Sequence, residues 1–188
     1  NTAQLKLGES VLVVGLGGVG LAAILGAVAA GATQIIAADV NPKKREFAKR
    51  LGAHFTFDSS EKGALEEIKE LTNGGVDVSA EFAGVIPALD FAFQATKRGG
   101  TTVTAALPHP NAKLKISPAT LVGQEKSLKG SYLGGCVPSR DIPAYVELYK
   151  TGRLAVDKLI SHRIKLEEIN NGFERLAKGD ALRQIILF

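Results

Sequence analysis

The sequence predicts an α/β domain wound doubly around a parallel sheet, and three observations carry that prediction. Apolar runs and helical stretches alternate strand, helix, strand from Ser10 to Ala106. A glycine-rich hexapeptide, Gly15-Leu16-Gly17-Gly18-Val19-Gly20, joins the first apolar run to the first helix. An acidic residue, Asp39, closes the second apolar run nineteen residues after Gly20.

Taken in order, the strands are Ser10–Val14, Gln34–Asp39, His54–Phe57, Val76–Ala80 and Thr101–Ala106. The first helix is Leu21 to Ala30. Asn41-Pro42 caps the second, with proline suited to a first turn, and Leu51-Gly52 ends it. Glu61 to Leu71 forms the third, stopped by Thr72-Asn73-Gly74-Gly75, and Pro87 to Thr96 the fourth, ended by Arg98-Gly99-Gly100. Loop signals dominate from Leu107 to Ala112. Beyond Gly134 the alternation breaks: helical patterns near Ile142–Thr151 and Leu166–Lys178 precede a last strand, Arg183–Phe188. The expected organisation is a dinucleotide-type domain over 1–134 and a helix and strand extension over 135–188.

Composition bounds the function. The chain has 188 residues, 45% hydrophobic and 22% charged, as an ordinary folded protein does. The net charge of +4 is scattered, and its one basic group, Lys43-Lys44-Arg45, fits a helix face. Without aromatic interleaving or a long basic run, nucleic acid is a poor partner. No apolar stretch approaches a membrane span. One cysteine, Cys136, excludes an internal disulfide, leaves no Cys/His cluster for a metal, and reads as a small filler in a reduced, cytoplasmic setting. The start Asn1-Thr2-Ala3-Gln4 and the lack of any methionine read as a segment from within a longer parent.

The glycines have separate physical tasks. Gly15 permits the tight turn, Gly17 lets the main chain approach phosphates, and Gly20 lets helix and strand pack closely. The helix start then presents N–H groups and a positive dipole end to a pyrophosphate. Asp39 stands where a carboxylate accepts hydrogen bonds from ribose hydroxyls and repels a 2′-phosphate, which favours NAD, softened by Lys43, Lys44 and Arg45. FAD and S-adenosylmethionine are the other adenosine ligands such a turn can hold. The ligand belongs at the carboxyl ends of the strands, on the loops after Val14, Asp39, Ala80 and Ala106.

Several stretches together carry a resemblance: Gly15 to Leu21, Ala37-Ala38-Asp39-Val40-Asn41, Ala48 to Ala53, and Gly74-Gly75-Val76-Asp77 followed by Glu81-Phe82-Ala83-Gly84. Lys129-Gly130 with Gly134-Gly135, Ile169-Asn170-Asn171-Gly172-Phe173 and Arg183 to Phe188 continue it. Over nearly its whole length the chain resembles the coenzyme domain and carboxyl-terminal tail of the medium-chain, zinc-dependent alcohol dehydrogenases. The resemblance implies a Rossmann NAD-binding fold whose tail packs on a catalytic domain absent from this chain. It implies zinc in the parent protein but no zinc bound here, and an alcohol or aldehyde substrate shared with the missing domain. It places Asp39 and Lys44 at the adenosine ribose, Phe82 and Ala83 along the adenine, Gly15, Gly17, Gly18, Val19 and Gly20 at the pyrophosphate, and Arg183 as its charge partner. Main-chain groups of Ala105, Leu107, Ser131 and Leu133 would hold the nicotinamide carboxamide, although Ala106 stands where the family pattern has glycine. It also implies a homo-oligomer paired edge to edge through the strand around Lys126–Tyr132.

Other constellations read as structure. Glu66-Glu67 and Glu167-Glu168 lie on amphipathic helices as solvated faces. His54 and His162 lie far apart in the chain with no cysteine near either, His109 between its prolines approaches a substrate or simply occupies an exposed loop, and neither Tyr145 nor Tyr149 has the lysine four residues on that short-chain dehydrogenases use. The expected function is therefore the NAD(H)-binding part of an alcohol dehydrogenase-like oxidoreductase. The alternatives are a stand-alone nucleotide-binding or redox-sensing module and a zinc-free quinone reductase-like enzyme.

Overall fold

The computed structural model describes residues 1–188. Eight strands and seven helices follow one another: β1 (Ser10–Val14), α1 (Gly18–Ala30), β2 (Gln34–Ala38), α2 (Pro42–Leu51), β3 (Phe55–Phe57), α3 (Ala64–Leu71), β4 (Val76–Glu81) and α4 (Ile86–Ala95). Then come β5 (Thr96–Thr104), α5 (Pro118–Gly123), β6 (Ser127–Gly130), α6 (Pro138–Lys150), β7 (His162–Lys165), α7 (Ile169–Ala177) and β8 (Gln184–Leu187). The first six strands form one sheet in the order β3-β2-β1-β4-β5-β6, every neighbouring pair parallel. This is the doubly wound Rossmann order, in which the chain reverses direction across the sheet between β1 and β4 and leaves a crevice at the strands' carboxyl ends.

Because helices cover both faces, β1 is apolar and buried from Val11 to Val14 and β2 from Ile35 to Ala38, while β4 interleaves Val76, Val78 and Ala80 with Asp77, Ser79 and Glu81. Alternate residues of β1 serve two cores: Val11 and Val13 join Leu21, Ile24 and Leu25 of α1 and Ile35 and Ala37 of β2, while Leu12 and Val14 join Ile36, Ile68 of α3 and Ala92 of α4. The capping read from Asn41-Pro42 is present, with Asn41 Oδ1 accepting from the N–H groups of Lys43 and Lys44. Leu51 hands over to Gly52 in the left-handed conformation, φ 117°.

Some elements differ from expectation. β5 starts at Thr96, five residues early, because Val76 pairs with Thr96 and Val78 already with Thr101. The intervening Lys97–Gly100 form a bulge with Gly99 at φ 74°, so the turn chemistry there is real but the strand continues across it. The third helix begins at Ala64 rather than Glu61. α5 and β7 were not legible, and β7 pairs in parallel with β8 as a separate two-stranded sheet. The tail also docks partly on its own domain: Leu154, Leu159 and Leu182 pack against the α1 side of the core. No helix is long and apolar enough to cross a membrane.

Candidate functional site

The loops that follow β1, β2, β4, β5 and β6 meet along one rim. Gly15, at φ 87°, opens the first of them and donates its N–H to Ala38 O at 2.8 Å. A Cβ on Gly15 would lie 2.6 Å from Ala83 N, and one on Gly20 would lie 1.9 Å from Gly15 O. Both therefore need glycine: the first because the loop after β4 crosses it, the second because α1 leaves the strand with no room for a side chain.

Gly17 differs from both. Its φ is −77°, and a Cβ there would meet no atom within 4 Å. The space is open, and the N–H groups of Gly17, Gly18 and Val19 beside it have no partner within the chain. An uncapped start of a 13-residue helix with free N–H groups and an unfilled cradle fits a phosphate group. Arg183, from the tail, brings Nη2 to 3.4 Å of where a Gly18 Cβ would stand, and its guanidinium forms no ion pair. The structure thus brings together the glycines and Arg183, which lie far apart in sequence.

Asp39 lies at the end of β2 and is nearly buried. Its Oδ2 accepts the Leu16 N–H at 2.7 Å and its Oδ1 the Asn41 N–H at 2.8 Å. The carboxylate thereby ties the glycine turn to the loop after β2, and each oxygen keeps a lone pair for a further donor. Within the basic group that follows, Arg45 is committed to Asp39 O at 2.7 Å and to Asp58 at 2.9 Å, and Lys43 pairs with Asp180 at 3.9 Å. Lys44 alone has no ion-pair partner.

On the other side of the turn, Glu81 at the end of β4 is 1% exposed. Its Oε1 accepts the Gly84 N–H at 2.6 Å and its Oε2 the Thr104 hydroxyl at 2.7 Å, so it fixes the loops after β4 and β5 to each other. In the sequence Glu81 stands out only as part of the Glu81-Phe82-Ala83-Gly84 stretch. The available signal was an acid closing an apolar strand with a glycine three residues on, the same arrangement of strand-end carboxylate and loop N–H that Asp39 makes.

The remaining expected residues line the rim unevenly. Phe82 packs into the α1-side core, its ring 3.6 Å from the position of a Gly20 Cβ, while Ala83 is exposed. Ala106 stands 3.3 Å from where a Gly84 Cβ would be, so the alanine in place of the family glycine fills the gap between two loops. Ser131 N–H continues the ladder to Thr104 O at 2.8 Å, and its hydroxyl lies 2.8 Å from that of Thr2. Leu107 and Leu133 are fully open to solvent, Leu133 at φ 49°.

A metal ion does not fit the side chains present. No three His, Cys, Asp or Glu groups converge; His54 Nδ1 accepts the Ile35 N–H at 2.9 Å, and His162 meets only Ser161 Oγ at 3.0 Å. Cys136 is free and half-exposed rather than a core filler, and desolvation with the Asp141 carboxylate pushes its thiol up.

Fold and rim together define a Rossmann domain of the dehydrogenase type, with a glycine turn, a strand-end acid and an arginine gathered at one crevice. The chain belongs to the zinc-binding dehydrogenase family, whose pattern matches residues 18–151. It is 41% identical to alcohol dehydrogenase 1 of Zea mays over 99% of its own length and 50% of that protein's. Among solved structures, benzyl alcohol dehydrogenase from Acinetobacter calcoaceticus superposes with a TM-score of 0.94 at 31% identity, covering 99% of this chain and 51% of that one. A protein of Sinorhizobium meliloti 1021 solved with NADP bound superposes with a TM-score of 0.89 at 30% identity, over 100% and 54% of the two chains. The chain spans about half the length of the curated relatives it matches.

Proposed function

We propose that this chain is the NAD(H)-binding part of an alcohol dehydrogenase-like oxidoreductase that transfers hydride between an alcohol and NAD. Its catalytic zinc would be held by protein outside this chain. The observation that carries the reading is the open cradle at Gly17, bordered by three free N–H groups and flanked by the Asp39 carboxylate and the unpaired Arg183.

In this reading Gly15 and Gly20 set the turn, and the N–H groups of Gly17, Gly18 and Val19 hold the pyrophosphate with Arg183 balancing its charge. Asp39 accepts the ribose hydroxyls and repels a 2′-phosphate, with Lys44 beside it; Phe82 and Ala83 border the adenine. Main-chain groups of Ala105, Leu107, Ser131 and Leu133 fix the nicotinamide, whose ring gives or takes the hydride when bound. Glu81 holds the loops that carry Ala83 and Ala105 at a set separation.

The same reading places a boundary near Gly134, supported by three successive left-handed residues, Leu133, Gly134 and Gly135. It makes the chain a homo-oligomer through the β6 edge, whose outer side no strand covers, and puts the protein in the cytoplasm. The alcohol site lies between the rim and the absent half.

The test is calorimetric titration of NADH and NADPH into the 188-residue chain and two variants. Gly17→Ala is expected to leave the melting temperature within about 1 °C, because its Cβ meets nothing, and to weaken NADH at least tenfold. Asp39→Ala is expected to lower the NADH-to-NADPH affinity ratio at least tenfold. Equal effects on both cofactors would remove Asp39 from the ribose site; unchanged NADH binding by Gly17→Ala would remove the cradle.

A further inference from the structure

At the far end of β6 from the rim, α3, α4 and the stretch leading into α5 line an open cleft of about 330 Å³. Three lysines reach it: Lys69 from the last turn of α3, Lys115 ahead of α5, and Lys126 immediately before β6. None of the three belongs to an ion pair. Lys126 is fixed in place, its Nζ donating to Phe93 O at 2.9 Å and lying 4.9 Å from the Phe93 ring centre. Burial and the facing Lys69 ammonium hold Lys126 below the ordinary lysine range. The one acid on the lining, Asp90, has Oδ2 taken by the Gln94 amide at 2.6 Å.

Like charges gathered in a partly desolvated cleft repel one another unless an anion stands between them. The lining fits an oxyanion: only two of its ten residues are hydrophobic, one of them the buried Phe93, so there is no apolar wall for a base or an acyl chain. We propose that this cleft binds a small phosphate-bearing anion, at a site separate from the dinucleotide rim. The four residues of β6 span about 13 Å between the two ends, enough that ligands at both do not touch. Lys69 and Lys115 act as the free charges, Lys126 as a fixed one, and the Ser117 and Thr120 hydroxyls as added donors.

The proposal does not depend on the dinucleotide reading. It is tested by titrating pyrophosphate into the full chain by calorimetry at low salt, alone and with saturating NADH. With NADH saturating the rim, one site is expected, its affinity lowered at least tenfold in the double variant Lys69→Gln/Lys115→Gln; any binding seen only without NADH belongs to the Gly17 cradle. Those side chains are half-buried and exposed, so the variant keeps its melting temperature. Absence of binding at saturating NADH, or an unchanged affinity in the double variant, would overturn the proposal. Failure of NADH to bind would overturn the dinucleotide reading alone, since the lysine variants still report on the cleft. Inorganic phosphate and glucose 6-phosphate titrated in the same way separate the sources: binding of both assigns the site to phosphate monoesters, binding of the inorganic ions alone to free phosphate.

Discussion

The stretch from Val11 to Val103 and the stretch from Thr104 to Phe188 are nearly equal in length but differ in what holds them. All but four of the 40 buried residues lie in the first. There each strand between helices has two faces to fill, and alternate side chains enter separate cores. In the second, α6 runs 13 residues without burying one, and Tyr132, Leu133, Ile142, Tyr149, Phe173 and Phe188 stand open. The first half folds around itself; the second carries apolar surface with nothing in this chain to cover it. The contrast accords with a chain that matches about half of each relative.

Four measurements would break or sharpen that contrast. The largest effect is expected in the first half, from Gly20→Ala. A Cβ 1.9 Å from Gly15 O cannot be accommodated without parting α1 from β1, at a loss of about 3 kcal/mol or more in urea unfolding. A loss below about 1 kcal/mol would show that the turn is looser than its geometry.

Next comes the seam between the halves. Leu159, 4% exposed among α1 side chains, is the tail's main anchor, and Leu159→Ala should cost about 2–3 kcal/mol. Its signature is loss of amide protection in Val156–Leu187 before that in β1 and β4. Uniform loss across both halves would mean that they unfold as one.

A third lies at the amino-terminal end of the sheet, where Asp77 accepts the N–H and hydroxyl of Ser10 and pairs with Lys97. Desolvation raises the Asp77 carboxyl, but the hydrogen bonds from Lys97 and Ser10 outweigh it and bring the group to about 2. A carboxyl depressed on folding adds stability above its unfolded value near 3.8, and that stability is lost as pH falls from there towards 2. After allowance for solvent screening the expected loss is about 1–2 kcal/mol, absent in Asp77→Asn. An Asn variant with the parent's slope between pH 4 and 2 would discard the assignment.

The smallest effect is expected on α6. Tyr149→Ser should change stability by less than about 0.5 kcal/mol, because the side chain contributes to no core. A larger change would reveal packing by self-association.

Legibility followed the same division. Through β5, alternation, caps and the glycine turn made element order and type readable, since apolar runs buried on both faces have little else to become. Beyond it the signals thinned. β7 reads His-Arg-Ile-Lys, with one buried residue, and β6 reads Ser-Leu-Lys-Gly at a sheet edge, so neither shows the apolar run of a buried strand. At the rim the spacing of glycines and acid could be read directly because the backbone itself imposes it. Glu81 could not be assigned a task, because its partners, Gly84 N–H and the Thr104 hydroxyl, become neighbours only after two strands pair.

The hydrogen bond from Leu16 N–H to Asp39 has an evolutionary consequence. Under the proposed function one carboxylate has two duties, facing the ribose and closing the glycine turn, so an exchange at position 39 that removes the acceptor also releases the turn. An exchange that keeps an acceptor there, such as Asp39→Asn, drops the charge and leaves the Leu16 N–H a partner. On that reading, cofactor preference and loop order meet at one residue, and the side chains admitted at position 39 are those that satisfy both.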